Sequence, residues 1–312
     1  MNCEWAKGFQ RLDTRTLAAL LISVGLPFAQ LVPASAATLD RVRETGKLML
    51  GYRADTQPFS YKGGDGQVTG YSVALCEKVA EEVKAELGVA ELAIEWVPVT
   101  VEDRFSAVAQ GKIDLLCASD TDTLERRKQV SFSLPIFPSG TAALLRADAP
   151  APLQDVLAGR PQSGPIWRGS PARILEAKTF SAVAGTTTES WLNGRLKEFQ
   201  LDAKVVPVDS YAAGIARVLD HSSDVFFGDR PILADAAAVG SSAGEVVVLD
   251  KLFTYEPIAL PLARNDDDFR LAVDRALSQF FRSVEFHEVY RKWFGAPDEG
   301  ALAFFRQTAI PE

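Results

Sequence analysis

Four short stretches carry residue types that could grip a charged small molecule. The first is Asp122-Thr-Leu-Glu-Arg126, which follows the apolar run Ile113–Cys117 and the hydroxyls of Ser119 and Thr121. Asp122 and Glu125 have the spacing of a capping box, which would put Arg126 in the first turn of a helix. A helix start carries partial positive charge, so a cation there costs free energy unless an anion sits beside it. A guanidinium in that place can hold a carboxylate through two parallel bonds. Ser119 and Thr121 would complete the anion site, and Arg127 and Lys128 read as surface charges. The competing reading is a solvated Arg126 paired with Glu125 or Asp122.

The second stretch is Gly185-Thr-Thr-Thr188, where a strand meets a glycine and then a helix start. Exposed N–H groups there suit an anion, and Thr187 and Thr188 add hydroxyls. An ordinary threonine N-cap would look the same, and the spacing is not that of a nucleotide P-loop. The third is Asp229, directly after Asp224-Val-Phe-Phe-Gly228. An acid after a buried strand suits an ammonium group, or simply caps the helix that follows. The fourth is Arg53, at the end of the first strand, with Phe59 six residues on. Arg53 could meet a second ligand carboxylate, and Phe59 could pack on the ligand's carbon chain or belong to the core. Together these groups complement a zwitterionic amino acid. Four or five charge-assisted bonds at about 1.5–3 kcal/mol each, less the cost of closing a hinge, fit a ligand held at about −8 kcal/mol or better.

The elements that must position them alternate. Lys47–Tyr52, Ala93–Pro98 and Ile113–Cys117 read as strands. Between them Tyr71–Leu87 has helical periodicity, and Val101–Gln110 is a helix stopped by Gly111. The order restarts at Thr141–Arg146, with strands at Phe180–Ala184, Ala203–Pro207, Asp224–Phe227, Glu245–Leu249 and Tyr255–Ala263. Helices are expected at Trp191–Phe199, Ala212–Leu219, Ile232–Ala238, Asp267–Ser283 and Val284–Phe294, and the apolar tail Ala301–Phe305 should pack on a lobe. This predicts two α/β lobes, the second inserted into the first through crossings near 141–146 and 255–263. Two extended crossings make a hinge, and ligands in such sheets lie beyond the carboxyl ends of strands.

With 312 residues and 47% hydrophobic composition a sizeable core is available. The net charge of −8 provides no basic stripe for nucleic acid. His221 and His287 lie far apart, and no metal-ligand spacing occurs, so neither metal nor other cofactor is expected. Lys7, Arg11 and Arg15 precede the apolar run Leu17–Leu26, and Ala34-Ser-Ala36 follows. That is the layout of a secretory signal peptide over residues 1–36. Cys76 and Cys117 sit in apolar patterns and are expected as free, buried cysteines. In an oxidising compartment the alternative is that they pair.

Several motifs taken together resemble the periplasmic amino-acid-binding proteins of ABC importers, solute-binding protein family 3. They are Gly51-Tyr-Arg53, Pro58-Phe-Ser60, Gly70-Tyr-Ser72, Gly111-Lys-Ile-Asp114, Thr121 with Glu125-Arg126, Phe132-Ser133, Gly185-Thr-Thr187, Asp229 and Tyr290-x-x-Trp293-Phe294. The resemblance covers nearly all of residues 38–296. Cys117–Arg126 and Arg53 look most like the glutamate/aspartate-binding branch. It implies the type II periplasmic-binding-protein fold, each lobe a mixed sheet with flanking helices, joined by a two-strand hinge. The lobes would be 37–141 plus 256–312, and 142–255. It also implies that Arg126 holds the ligand α-carboxylate, helped by Ser119, Thr121 and Thr187. Asp229 would take the α-ammonium, and Arg53 would read an acidic side chain. The acidic branch carries a histidine near Asp209–Ala213, and this chain has none there; Arg160–Lys178 is longer than usual. The expected protein is a monomeric periplasmic carrier that delivers its amino acid to a membrane-embedded ABC permease and is not an enzyme. The alternatives are a cyclohexadienyl-dehydratase-like enzyme and a free sensory subunit on the same fold.

Overall fold

The computed structural model describes residues 38–160, 171–238 and 243–311. The expected signal peptide and most of the long Arg160–Lys178 stretch lie outside the described residues.

Apolar runs buried on both faces form the inner strands, such as Thr141–Arg146 and Val225–Asp229, as sheets covered by helices require. A six-stranded sheet runs in the order Ala93–Pro98, Lys47–Tyr52, Leu115–Leu116, Glu256–Leu262, Asp120–Thr121, and Ser131–Ser139 also pairs with Glu256–Leu262. Its first three strands are parallel, and Glu256–Leu262 is antiparallel to its neighbours. A five-stranded sheet runs Lys204–Val208, Thr179–Val183, Val225–Asp229, Thr141–Arg146, Val246–Val248. A small third sheet joins Asp55–Thr56, Ser60–Lys62 and Val68–Thr69.

The chain crosses from the first large sheet to the second after Ser139 and returns at Glu256, and these two residues are paired across the crossing strands. The crossings approach so closely that a Cβ on Gly140 would lie 2.1 Å from the Thr254 carbonyl oxygen, a place that only glycine fits. The long strand Ser131–Ser139 is absent from the sequence reading because Pro135 and Pro138 interrupt its pattern. It pairs only with Glu256–Leu262, with register shifts beside Ala259, and an edge strand with irregular pairing is where proline is tolerated.

The helix Tyr71–Leu87 forms over the expected span and ends at Gly88 in the left-handed region, φ 64°. Its buried face includes Cys76, whose Cα lies 6.1 Å from that of Cys117, and the two are joined in a disulfide. The expectation of free cysteines is therefore corrected. Both are fully buried as that reading required, but Cys117 follows an interior strand of the six-stranded sheet and the helix brings Cys76 against it, so that the two side chains meet. Closing a loop of 41 residues stabilises the fold by about 4 kcal/mol in the chain-entropy picture. The C-terminal residues also exceed the expectation of a merely apolar tail. Glu299–Thr308 is a helix capped by Asp298, and its Phe305 packs on Phe281 and Phe286. Among the described residues no helix is long and apolar enough to cross a membrane.

Candidate functional site

Arg126 does not sit in an α-helix. Residues Arg126–Lys128 form one 3-10 turn, and the Arg126 N–H donates to Thr123 Oγ1 at 3.1 Å. The Asp122–Glu125 capping box is corrected accordingly. Asp122 instead accepts two bonds from Arg127, and Glu125 pairs with Lys128. Those two cations are exposed and neutralised, as expected of surface charges. Arg126 is half-buried and differs from them. It donates from Nη1 to the Thr121 carbonyl at 2.8 Å, and its guanidinium lies 5.1 Å from the Phe105 ring centre. Among the described residues no carboxylate lies within ion-pair distance of it. Burial lowers its pKa, with Arg104 adding to this and Asp120, Asp229 and Glu256 opposing it.

The opposite charge collects at the crossing. Asp229 ends the strand Val225–Asp229, and the next helix begins at Arg230. It accepts from Tyr211 Oη at 3.0 Å and from Ser139 Oγ at 3.2 Å. Burial first, and the negative charge of Glu256 second, push its pKa up to about 7; the two hydroxyl donors and Arg126 pull the other way. Burial and Asp229 together raise Tyr211 well above the usual tyrosine range.

Glu256 is the residue that sequence reading missed. It is 6% exposed. Its Oε2 accepts from Thr121 at 2.9 Å and Thr187 at 2.5 Å, and its Oε1 accepts from Thr254 at 2.8 Å and Thr141 at 3.0 Å. The one hint was a charge opening the otherwise apolar run Glu256–Leu262. The threonine cluster divides its tasks. Thr186 is the N-cap, accepting from the Glu189 N–H, while Glu189 accepts from the N–H of Gly185, the residue before the cap. That frees Thr187 to face Thr121, 3.5 Å between oxygens. Thr188, expected in the cleft, is 3% exposed and bonded to Thr141 at 3.1 Å, so it braces the crossing.

The remaining expected residues separate. Arg53 is 8% exposed and fully engaged by Asp55, with Nε at 3.0 Å and Nη2 at 2.7 Å from both carboxylate oxygens. Asp55 lines a cavity of about 630 Å³ together with Gln57, Tyr61, Tyr211 and Asp235. Ser119 is half-buried in the connection before Asp120–Thr121. Phe59 is wholly enclosed by Tyr71, Phe137 and Phe294. Of the two readings open for Phe59, ligand wall or core, its burial favours the core. A further cation, Arg104, was not singled out. It is locked to Asp120 at 2.6 Å, both side chains 5% exposed, and lies 4.3 Å over the same Phe105 ring that Arg126 approaches. Among the described residues no cluster of His, Cys, Asp or Glu could hold a metal ion.

The arrangement thus offers one cation, Arg126, and two carboxylates, Asp229 and Glu256, without ion-pair partners among the described residues, flanked by hydroxyls from both large sheets. The sequence profile of the bacterial extracellular solute-binding proteins, family 3, matches residues 48–296. A glutamate/aspartate import solute-binding protein of Escherichia coli is 26% identical over 92% of this chain and 89% of its own length. An L-glutamate/L-aspartate-binding protein of Pseudomonas aeruginosa is 28% identical over the same shares. Among solved structures, an ancestral amino-acid-binding protein described as a precursor of cyclohexadienyl dehydratase aligns with a TM-score of 0.67 and 27% identity. It covers 83% of this chain and 100% of its own.

Proposed function

The chain belongs to the bacterial extracellular solute-binding proteins, family 3, and from that premise we propose that it captures an α-amino acid between its lobes for an ABC importer. The observation that carries this is the pair Arg126 and Asp229. Each is partly buried, neither has an ion-pair partner among the described residues, and each feels the other's charge. A buried charge without a partner is costly. A zwitterion offers both a partner at once: its carboxylate goes to Arg126 and its ammonium to Asp229, with the Thr121 and Thr187 hydroxyls between them.

The lobes in this reading are 37–141 plus 256–312, and 142–255. The distribution of strands between the two large sheets supports that division. An acidic amino acid is the preferred ligand. The names of the relatives in Escherichia coli and Pseudomonas aeruginosa support it, as does the placement of Arg53 beside a cavity large enough for a side chain. The partner is a membrane-embedded permease, the working form a monomer, and the compartment the periplasm, reached through the leader 1–36. Names of relatives as binding proteins support a carrier rather than an enzyme. The test is a thermal-shift panel of the twenty amino acids. At least one, with glutamate and aspartate foremost, should raise the melting temperature; a flat panel overturns the proposal.

A further inference from the structure

Glu256 lies in the return crossing and has no basic side chain within ion-pair distance among the described residues. Four neutral hydroxyls hold its charge instead. Each hydroxyl has one proton to give. Once Thr121 and Thr187 have donated theirs to Glu256, only their lone pairs remain for anything else in the cleft. The two donors also come from different places. Thr121 is on the six-stranded sheet and Thr187 starts the helix after Thr179–Val183 of the five-stranded sheet, yet both reach the same oxygen. Separating the lobes must break at least one of these bonds.

We propose that Glu256 is the positioning residue of the cleft. It turns the Thr121 and Thr187 hydroxyls into acceptors for a ligand ammonium, and it latches the closed arrangement by binding one hydroxyl from each lobe. The first half rests on the amino-acid reading above; the second does not. The groups facing Asp229 are Glu256, Tyr211 and Arg126, so removing the Glu256 charge also changes the setting in which Asp229 ionises.

Glu256→Gln keeps the shape and loses the charge. An amide nitrogen cannot accept, so one pair of threonine hydroxyls must turn away. The probe is whichever proteinogenic amino acid most raises the wild-type melting temperature. The expected result at pH 8 is an affinity about tenfold weaker or worse. In addition, the variant loses less affinity than wild type on moving to pH 6, because Asp229 ionises more readily beside a neutral residue. A merely structural defect would weaken binding equally at both pH values. Small-angle scattering of the unliganded proteins should give a larger radius of gyration for the variant. Wild-type affinity, pH dependence and radius in Glu256→Gln would overturn the proposal. If that variant does not fold, Thr254→Val decides. It removes one donor without touching Thr121 or Thr187 and should weaken binding about threefold and enlarge the radius; no change in either overturns the latch. If wild type binds no amino acid, the functional reading fails by itself, and the radius of gyration alone judges the latch.

Discussion

Arg53 and Arg126 both follow strands of the six-stranded sheet, and their surroundings differ in one decisive way. Arg53 is gripped by both oxygens of Asp55, while Arg126 has only a backbone carbonyl and the face of Phe105. The first cation is already neutralised; the second has no carboxylate within ion-pair distance among the described residues. The same contrast holds for the acids. Asp120 has Arg104, whereas Asp229 and Glu256 have only hydroxyls. In the proposed reading the unpaired charges meet what every α-amino acid shares, and side-chain selectivity would have to compete with the internal Arg53–Asp55 salt bridge.

The comparison breaks most directly at its unpaired members. Arg126→Ala should weaken amino-acid binding on the order of a hundredfold or more, because truncation strands the ligand carboxylate in a desolvated site. Asp229→Asn should do the same for the ammonium. Calorimetric titration of each variant checks this, and wild-type affinity in either removes that residue from the site.

The acid limb of binding comes next. The carboxylate of Asp229 is the form that accepts an ammonium, and its pKa is raised to about 7. Wild-type affinity should therefore hold above that value and fall by about tenfold per pH unit below it. A titration series from pH 8 to pH 5 reads this, and a flat profile contradicts the role of Asp229.

A smaller effect would sharpen the comparison. Asp55→Asn releases Arg53 and makes it resemble Arg126. Preference for glutamate over glutamine should then rise about threefold to tenfold, the scale of a partly exposed ion pair. An unchanged ratio means that Arg53 does not meet the ligand side chain. The smallest expected effect on binding is none. Cys76→Ala with Cys117→Ala should lower stability by up to about 4 kcal/mol in denaturant unfolding, yet leave ligand affinity at its wild-type value.

Much of this was legible in residue order, and the exceptions share a cause. Tyr71–Leu87 and Val284–Phe294 formed as their periodicity required, because a helix is encoded in one continuous stretch. Arg126, Thr187 and Asp229 were candidates in the sequence because each lies at or after the end of a strand, where ligands of open sheets gather. Glu256 could not, since its partners Thr121, Thr141 and Thr187 are 135, 115 and 69 residues away and meet only when both sheets have formed. The disulfide and the Asp120–Arg104 pair depend on packing in the same way. Phe59 stayed open because a phenylalanine beside an arginine looks the same in sequence whether its ring faces ligand or core. The strand Ser131–Ser139 was hidden by its prolines, which its edge position excuses.

The central claim is that the unpaired Arg126 and Asp229 read the two charged ends of one amino acid. Its most direct test is calorimetric titration of wild type at pH 8 with L-glutamate and with N-acetyl-L-glutamate, which keeps both carboxylates and loses the ammonium. The account predicts micromolar or tighter binding of glutamate and a loss on the order of a hundredfold or more for the acetylated form. Equal binding of the two, or no binding of glutamate, would contradict it.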